Sequence, residues 1–228
     1  MSYANLETDF NEVSTLGNFI LEKLSDPMTM GEDSADVLAL LEMTARLGLL
    51  SCKLYQKGEF SEAIIITRAV VEVVGAMFIL HFQMKSNRHL LSEITSDPQI
   101  RHFLRWIKSG ASHHGNGVPS HPMIDKAIDY LDEWLGGIRW QYDAVVELCN
   151  ELLPTPFSRG SIPGSEPNHV TIPAEYAMRL ISKILVNFLT IGIVLYDEII
   201  NFSKKINRPP APERPLTASY PGEKIFTL

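Results

Sequence analysis

The stretch AIIITRAVVEVVGAMFILHF, Ala63 to Phe82, decides the fold. Ile64-Ile65-Ile66, Val70-Val71 and Val73-Val74 are β-formers by propensity. At 20 residues without a turn signal, however, the stretch is far longer than an ordinary strand. A helix apolar nearly all round is the reading that fits, and such a helix is surrounded by neighbours or by lipid. Arg68 and Glu72 sit in the middle of it, where charge is costly in a bilayer. The sequence therefore predicts the central helix of a bundle. Ile184 to Tyr196 is the second strongly apolar run, but its 13 residues fall short of the roughly 20 that a membrane-spanning helix needs.

Proline placement organises the remainder. Five of the 14 prolines fall between Pro154 and Pro173 and five more between Pro209 and Pro221, leaving long proline-free segments of helical period. Leu6, Phe10, Val13, Leu16, Ile20 and Leu24 form one amphipathic face that stops at Pro27. A second helix runs from the Asp33-Ser34 cap to about Gln56, closed by Lys57-Gly58. Ser61 is the expected cap of the central helix, which runs to about Lys85. Pro98 and Pro122 open two more helices, as proline favours the first turn. In the second of these, Ile124, Ala127, Ile128, Leu131, Trp134 and Leu135 share a helical register, and Gly136-Gly137 kinks or breaks the chain before Ile138. Pro173 opens the last and longest helix, to about Ile206. The expected architecture is all-α: a single helical-bundle domain of six or seven helices over 1–206, with a long irregular loop at 154–172. A proline-rich extended tail follows over 207–228.

The chain has 228 residues, 45% of them apolar, with a net charge of −7 and a pI near 5.5. This size supports a sizeable core without disulfide or metal staples. The acidic balance argues against bulk binding of a nucleic-acid duplex. Cys52 and Cys149 lie in apolar surroundings, and Met1 to Asp9 lacks the basic and apolar regions of a secretory signal. Buried free thiols in a cytoplasmic protein are the expectation. No Walker A loop, G-x-G-x-x-G, G-x-S-x-G or H-E-x-x-H occurs, which removes those phosphate-cradling, hydrolase and metalloprotease classes at motif level.

Chemistry is concentrated between Arg101 and His121, which holds four of the seven histidines beside Arg101, Arg105, Lys108, Ser109 and Ser112. Three readings compete there. A solvated polar turn between two bundle helices is the plain one. A second is acid–base work on a phosphodiester, with His113 and His114 supplying base and acid, Arg105 stabilising negative charge and Ser109 beside them. The third is a metal site of His113, His121 and Asp125, disfavoured because adjacent histidines diverge and no i, i+4 histidine pair exists; no metal and no cofactor is expected. Arg68 and Glu72 are i, i+4 neighbours and read first as a structural ion pair. If that helix faces the Arg105–His113 region, Arg68 presents a cation to a bound anion. Arg68, Glu72 and Asn116 are accordingly the candidate ligand-binding residues.

The series Tyr55-x-x-Gly58-x-x-x-x-Ala63, Arg68-x-x-x-Glu72 and Ser109-x-x-x-His113, followed by a long apolar final helix, resembles a bacterial all-helical family of uncharacterised function. That family has R-x-x-x-E and S-x-x-x-H motifs and is similar in architecture to HEPN bundles. The resemblance spans about Val37 to His114 and the final helix. It implies a dimeric helical bundle of a group that includes RNases of toxin–antitoxin and phage-defence systems. The RNase hallmark, arginine and histidine with four to six residues between them on one helix, is missing: the nearest pair, Arg105 and His113, has seven residues between. The expectation is therefore a HEPN-like homodimeric protein acting by binding or association, with RNA or a protein as partner and no membrane. Its rivals are a metal-independent RNase using His113 with Arg105 or Arg68, and a small-molecule sensor with a cavity lined by Met77, Phe78 and Leu189.

Overall fold

A computed structural model describes residues 4–25, 35–87, 90–109, 121–152 and 174–206. Among the described residues there are eight helices and no strand. They are α1 (Ala4–Leu24), α2 (Ala35–Gln56), α3 (Phe60–Asn87), α4 (Leu91–Ser96), α5 (Pro98–Lys108), α6 (Pro122–Leu135), α7 (Ile138–Leu152) and α8 (Ala174–Ile206). The 154–172 segment and the 207–228 tail lie outside the described residues.

The Ala63–Phe82 stretch is the interior of α3, which packs against α2, α6, α7 and α8. Val70, Val71, Val73, Val74, Ala76, Met77 and Leu80 are all buried. Burial on every side thus overrides the strand propensity of the valines and isoleucines. Both α3 and α8 are long and apolar enough to cross a membrane by length and composition. Within the fold, 89% of the most apolar α3 window and 56% of the α8 window is buried. Protein neighbours therefore cover α3 almost completely, and α8 about half.

Local signals set the helix ends. Gly58, at φ 77°, closes α2 with its N–H donating to Tyr55 O, while Glu59 N donates to Leu54 O. Helix α3 begins at Phe60, one residue before the expected Ser61 cap. Asp97 caps α5, its Oδ1 accepting from Gln99 N at 2.8 Å and Ile100 N at 3.1 Å. The helix count exceeds the expected six or seven because of α4. This six-residue helix is held at its start by Leu90 N donating to Glu93 Oε2 at 3.0 Å, and it is too short to generate a hydrophobic period.

At Gly136-Gly137 the chain breaks rather than kinks. Both glycines have positive φ, 74° and 71°, and Asp132 Oδ1 accepts from Ile138 N and Arg139 N at 2.6 and 2.9 Å. The last turn of α6 thereby caps α7. On the other side of the bundle, Lys23 of α1 pairs with Asp197 of α8 at 2.6 Å.

Candidate functional site: an aromatic groove between α3 and α6

The basic segment begins on α5. Ile100, Phe103, Leu104 and Ile107 face the core, so Arg101, Arg105 and Lys108 stand on the exposed face. Two of these cations have partners: Arg101 donates to Ser96 O at 2.8 Å, and Lys108 pairs with Asp36 of α2. Ser109 is used as a helix end, its hydroxyl donating to Trp106 O at 2.9 Å. His113, His114 and Asn116 lie outside the described residues.

His121 belongs to the start of α6. Its Nδ1 accepts from Met123 N at 3.3 Å, which leaves the neutral ring's proton on Nε2. The ring lies 5.1 Å from Phe103, 5.4 Å from Trp106 and 6.4 Å from His102, centroid to centroid. Burial, then the neighbouring His102, push its pKa below the ordinary histidine value. Asp125 lies 3.9 Å from Arg139, which is also paired with Asp129 and Asp143. Among the described residues no group of three or more His, Cys, Asp or Glu side chains is placed to hold a metal ion.

Arg68 and Glu72 are enclosed rather than displayed. Arg68 Nε donates to Glu72 Oε1 at 2.9 Å, with Arg68 8% exposed and Glu72 fully buried. Burial works against the guanidinium charge. The Glu72 carboxylate outweighs that effect, with Tyr142 and Cys149 of α7 contributing, so the pKa stands above the ordinary arginine value. The pair therefore faces α7. Cys149 beside it is a free, buried thiol pushed up to about 11, chiefly by burial; Cys52 is likewise free, buried and raised.

Met77 and Leu189 are fully buried in the core, and Leu189 packs towards Gly48 of α2. Phe78 instead floors an open groove of about 350 Å3 between α3 and α6, lined also by His81, Phe82, Lys85, Tyr130, Glu133 and Trp134. Two stacked ring pairs wall it. Phe82 and Tyr130 lie 4.9 Å apart and nearly parallel, while His81 and Trp134 lie 5.8 Å apart. Phe78 stands 6.1–6.2 Å from Phe82, His81 and Trp134, within the range of favourable aromatic contact.

The walls of this groove are exposed. Phe82 is 38%, Tyr130 43% and Trp134 44% open to solvent, and Leu135 beyond them 46%. Trp134 and Leu135 are thus the exposed members of the α6 apolar register. Ile124, Ala127, Ile128 and Leu131 of the same register are buried. The signal that marks the groove is aromatic spacing at i, i+4 on two helices, Phe78/Phe82 and Tyr130/Trp134.

Charges at the mouth are unequal. His81 Nε2 and Lys85 Nζ both reach Glu198 Oε2 of α8, at 2.6 and 2.7 Å. Burial holds His81 below its ordinary pKa; the Glu198 hydrogen bond opposes that and Lys85 reinforces it. Glu133 has no hydrogen-bond or ion-pair partner among the described residues. The groove thus offers aromatic surface, one paired cation and one unpaired carboxylate.

No protein-family model, curated protein or solved structure matches the chain.

Proposed function

We propose that this chain is a HEPN-like, cytoplasmic helical-bundle protein that acts by binding or association, as a homodimer within a bacterial stress or defence system. The observation that carries the reading is the solvent-open aromatic groove of Phe82, Tyr130 and Trp134. Monomeric proteins seldom expose contiguous large apolar patches without a use for them, and aromatic residues are enriched in binding surfaces. Two of the described candidates also have other employment, whereas Arg105 stands exposed on α5. Arg68 neutralises a buried carboxylate against α7, and Ser109 closes α5.

The second reading, a metal-independent RNase, is favoured by one observation. Two imidazoles, His102 and His121, lie 6.4 Å apart, with Arg101 and Arg105 on the same helix as His102; in sequence they flank His113 and His114. Paired imidazoles and a cation are the minimum for acid–base cleavage of a phosphodiester.

Incubation of the purified chain with a mixed-sequence RNA separates the two. The binding reading expects no cleavage, and the same outcome for His113→Ala and Arg105→Ala. Cleavage by the parent chain that disappears in His113→Ala overturns it.

A further inference from the structure

We propose that the α3–α6 groove is a recognition site for an alkylated ammonium head group, held against the Trp134 and Tyr130 rings and the Glu133 carboxylate. The inference rests on the binding reading above and names a ligand class for its surface.

Ring faces come first. Phe82 covers one face of Tyr130, and His81 covers one face of Trp134. Both α6 aromatics are nevertheless more than two-fifths exposed, which leaves π-surface directed to solvent at two positions one helical turn apart. Such faces attract cations, and most strongly cations whose water shell is weak, as with quaternary ammonium groups. An aliphatic ligand would be drawn only by area, and shallow open area gives little affinity.

Charge selects the sign. Among the described residues, four acidic or basic side chains bear on the groove: His81, Lys85 and Glu133 in its lining, and Glu198 behind them. The Lys85 charge is met by Glu198 at 2.7 Å, and the His81 ring is hydrogen-bonded to the same carboxylate. Glu133 remains as the unmatched charge, and it is negative. A carboxylate at the rim of an aromatic concavity complements a cation with an apolar body and repels an anion. The volume, about 350 Å3, lies at the lower end of small-ligand sites and accommodates a trimethylammonium group with its tether.

The test uses the full chain and choline as probe, followed by NMR through the indole N–H of Trp134, assigned with Trp134→Phe. The control is the neutral isostere of choline, in which carbon replaces the quaternary nitrogen. Choline is expected to shift the Trp134 signal with about tenfold higher affinity than the isostere. Glu133→Gln should weaken choline several-fold and leave the isostere unchanged. Tyr130→Leu should weaken choline, its folding being checked by circular dichroism. A peptide carrying trimethyllysine forms a second arm: tighter binding than choline assigns the head group to a protein partner, and weaker binding assigns it to a free small molecule. Equal affinity for choline and isostere, no shift with either, or an unaltered choline affinity in Glu133→Gln overturns the proposal. Failure of choline binding in a chain that cleaves no RNA leaves the binding reading standing, whereas RNA cleavage lost in His113→Ala overturns that reading itself.

Discussion

His81 of α3 and Glu198 of α8 meet at 2.6 Å, with the imidazole buried and the carboxylate partly open to water. Burial dominates, so folded His81 resists its proton despite this partner and has Lys85 nearby as a further deterrent. Above its ordinary pKa of 6.5, the imidazole is neutral in both folded and unfolded chains, and stability is independent of pH on its account. As the pH falls below that value, the unfolded chain takes up a proton that the folded one refuses. Stability should therefore decline from about pH 6.5 downward. Glu198, held below its ordinary value first by Lys85, adds a loss of the same sign at lower pH. Urea midpoints measured across pH 5 to 8 should show this slope, and His81→Gln should flatten its upper part. A slope unchanged in His81→Gln would assign the acid sensitivity elsewhere, with His121 the next residue to test.

The Arg68–Glu72 pair is more costly to break than to replace. Arg68→Met leaves a carboxylate in the core without its cation and should destabilise by about 3–5 kcal/mol. The double change Arg68→Met with Glu72→Leu removes both charges and should recover most of that loss. Denaturant unfolding of the parent and the two variants checks it; a double variant as unstable as the single one would mean that the pair holds α3 to α7 by more than charge compensation.

Gly75 and Gly136 should respond oppositely to alanine. A Cβ on Gly75 would make ordinary contacts of 3.6–4.0 Å with Ile124, Ala127 and Ile128, and the helix interior gains about 0.5–1 kcal/mol from losing a glycine. Gly136 has open space around it but sits at φ 74° and ψ 141°, a backbone region that costs other residues about 1–3 kcal/mol. Thermal unfolding should place Gly75→Ala above the parent and Gly136→Ala below it.

Asp132 carries the α6–α7 junction. Its Oδ1 alone accepts from two backbone N–H groups of α7, and Asp132→Ala strips both. A loss of about 1–2 kcal/mol is expected, with faster amide exchange at Ile138 and Arg139 than at Val145.

Neither thiol should react in the folded chain. Cys149, raised to about 11, is overwhelmingly protonated at pH 8, and only the thiolate attacks disulfide reagents. Labelling of both cysteines should be slow in native buffer and complete on addition of denaturant. Rapid labelling of Cys149 under native conditions would mean that α7 opens away from α3.

The framework was legible wherever hydrophobic period ran for several turns. Ala63 to Phe82 announced a surrounded helix because its apolar residues leave no polar face, and proline and glycine marked most of the ends. The α4 helix was illegible for the converse reason: Leu91 and Ile94 are its only buried residues, too few to define a period. At the candidate site, the i, i+4 relation of Arg68 and Glu72 could be read directly, since one helix fixes it. That the pair turns towards Tyr142 and Cys149 could not, because it depends on where a distant helix packs. Trp134 illustrates the same limit. Register tells which side of α6 it occupies, whereas its exposure depends on what packs against that side.

The adjacent carboxylates Asp197 and Glu198 hold different neighbours, α1 through Lys23 and α3 through His81 and Lys85. The Lys23–Asp197 contact spans 174 positions of sequence, so the earliest described helix is fastened by the latest. During synthesis, α1 and α2 can pair as soon as both have left the ribosome. The flank of α1 that α8 covers stays open until α8 has been made, because loop closure over that span must come first. Until α8 docks, the side of α1 that α2 does not cover remains open to association with other chains.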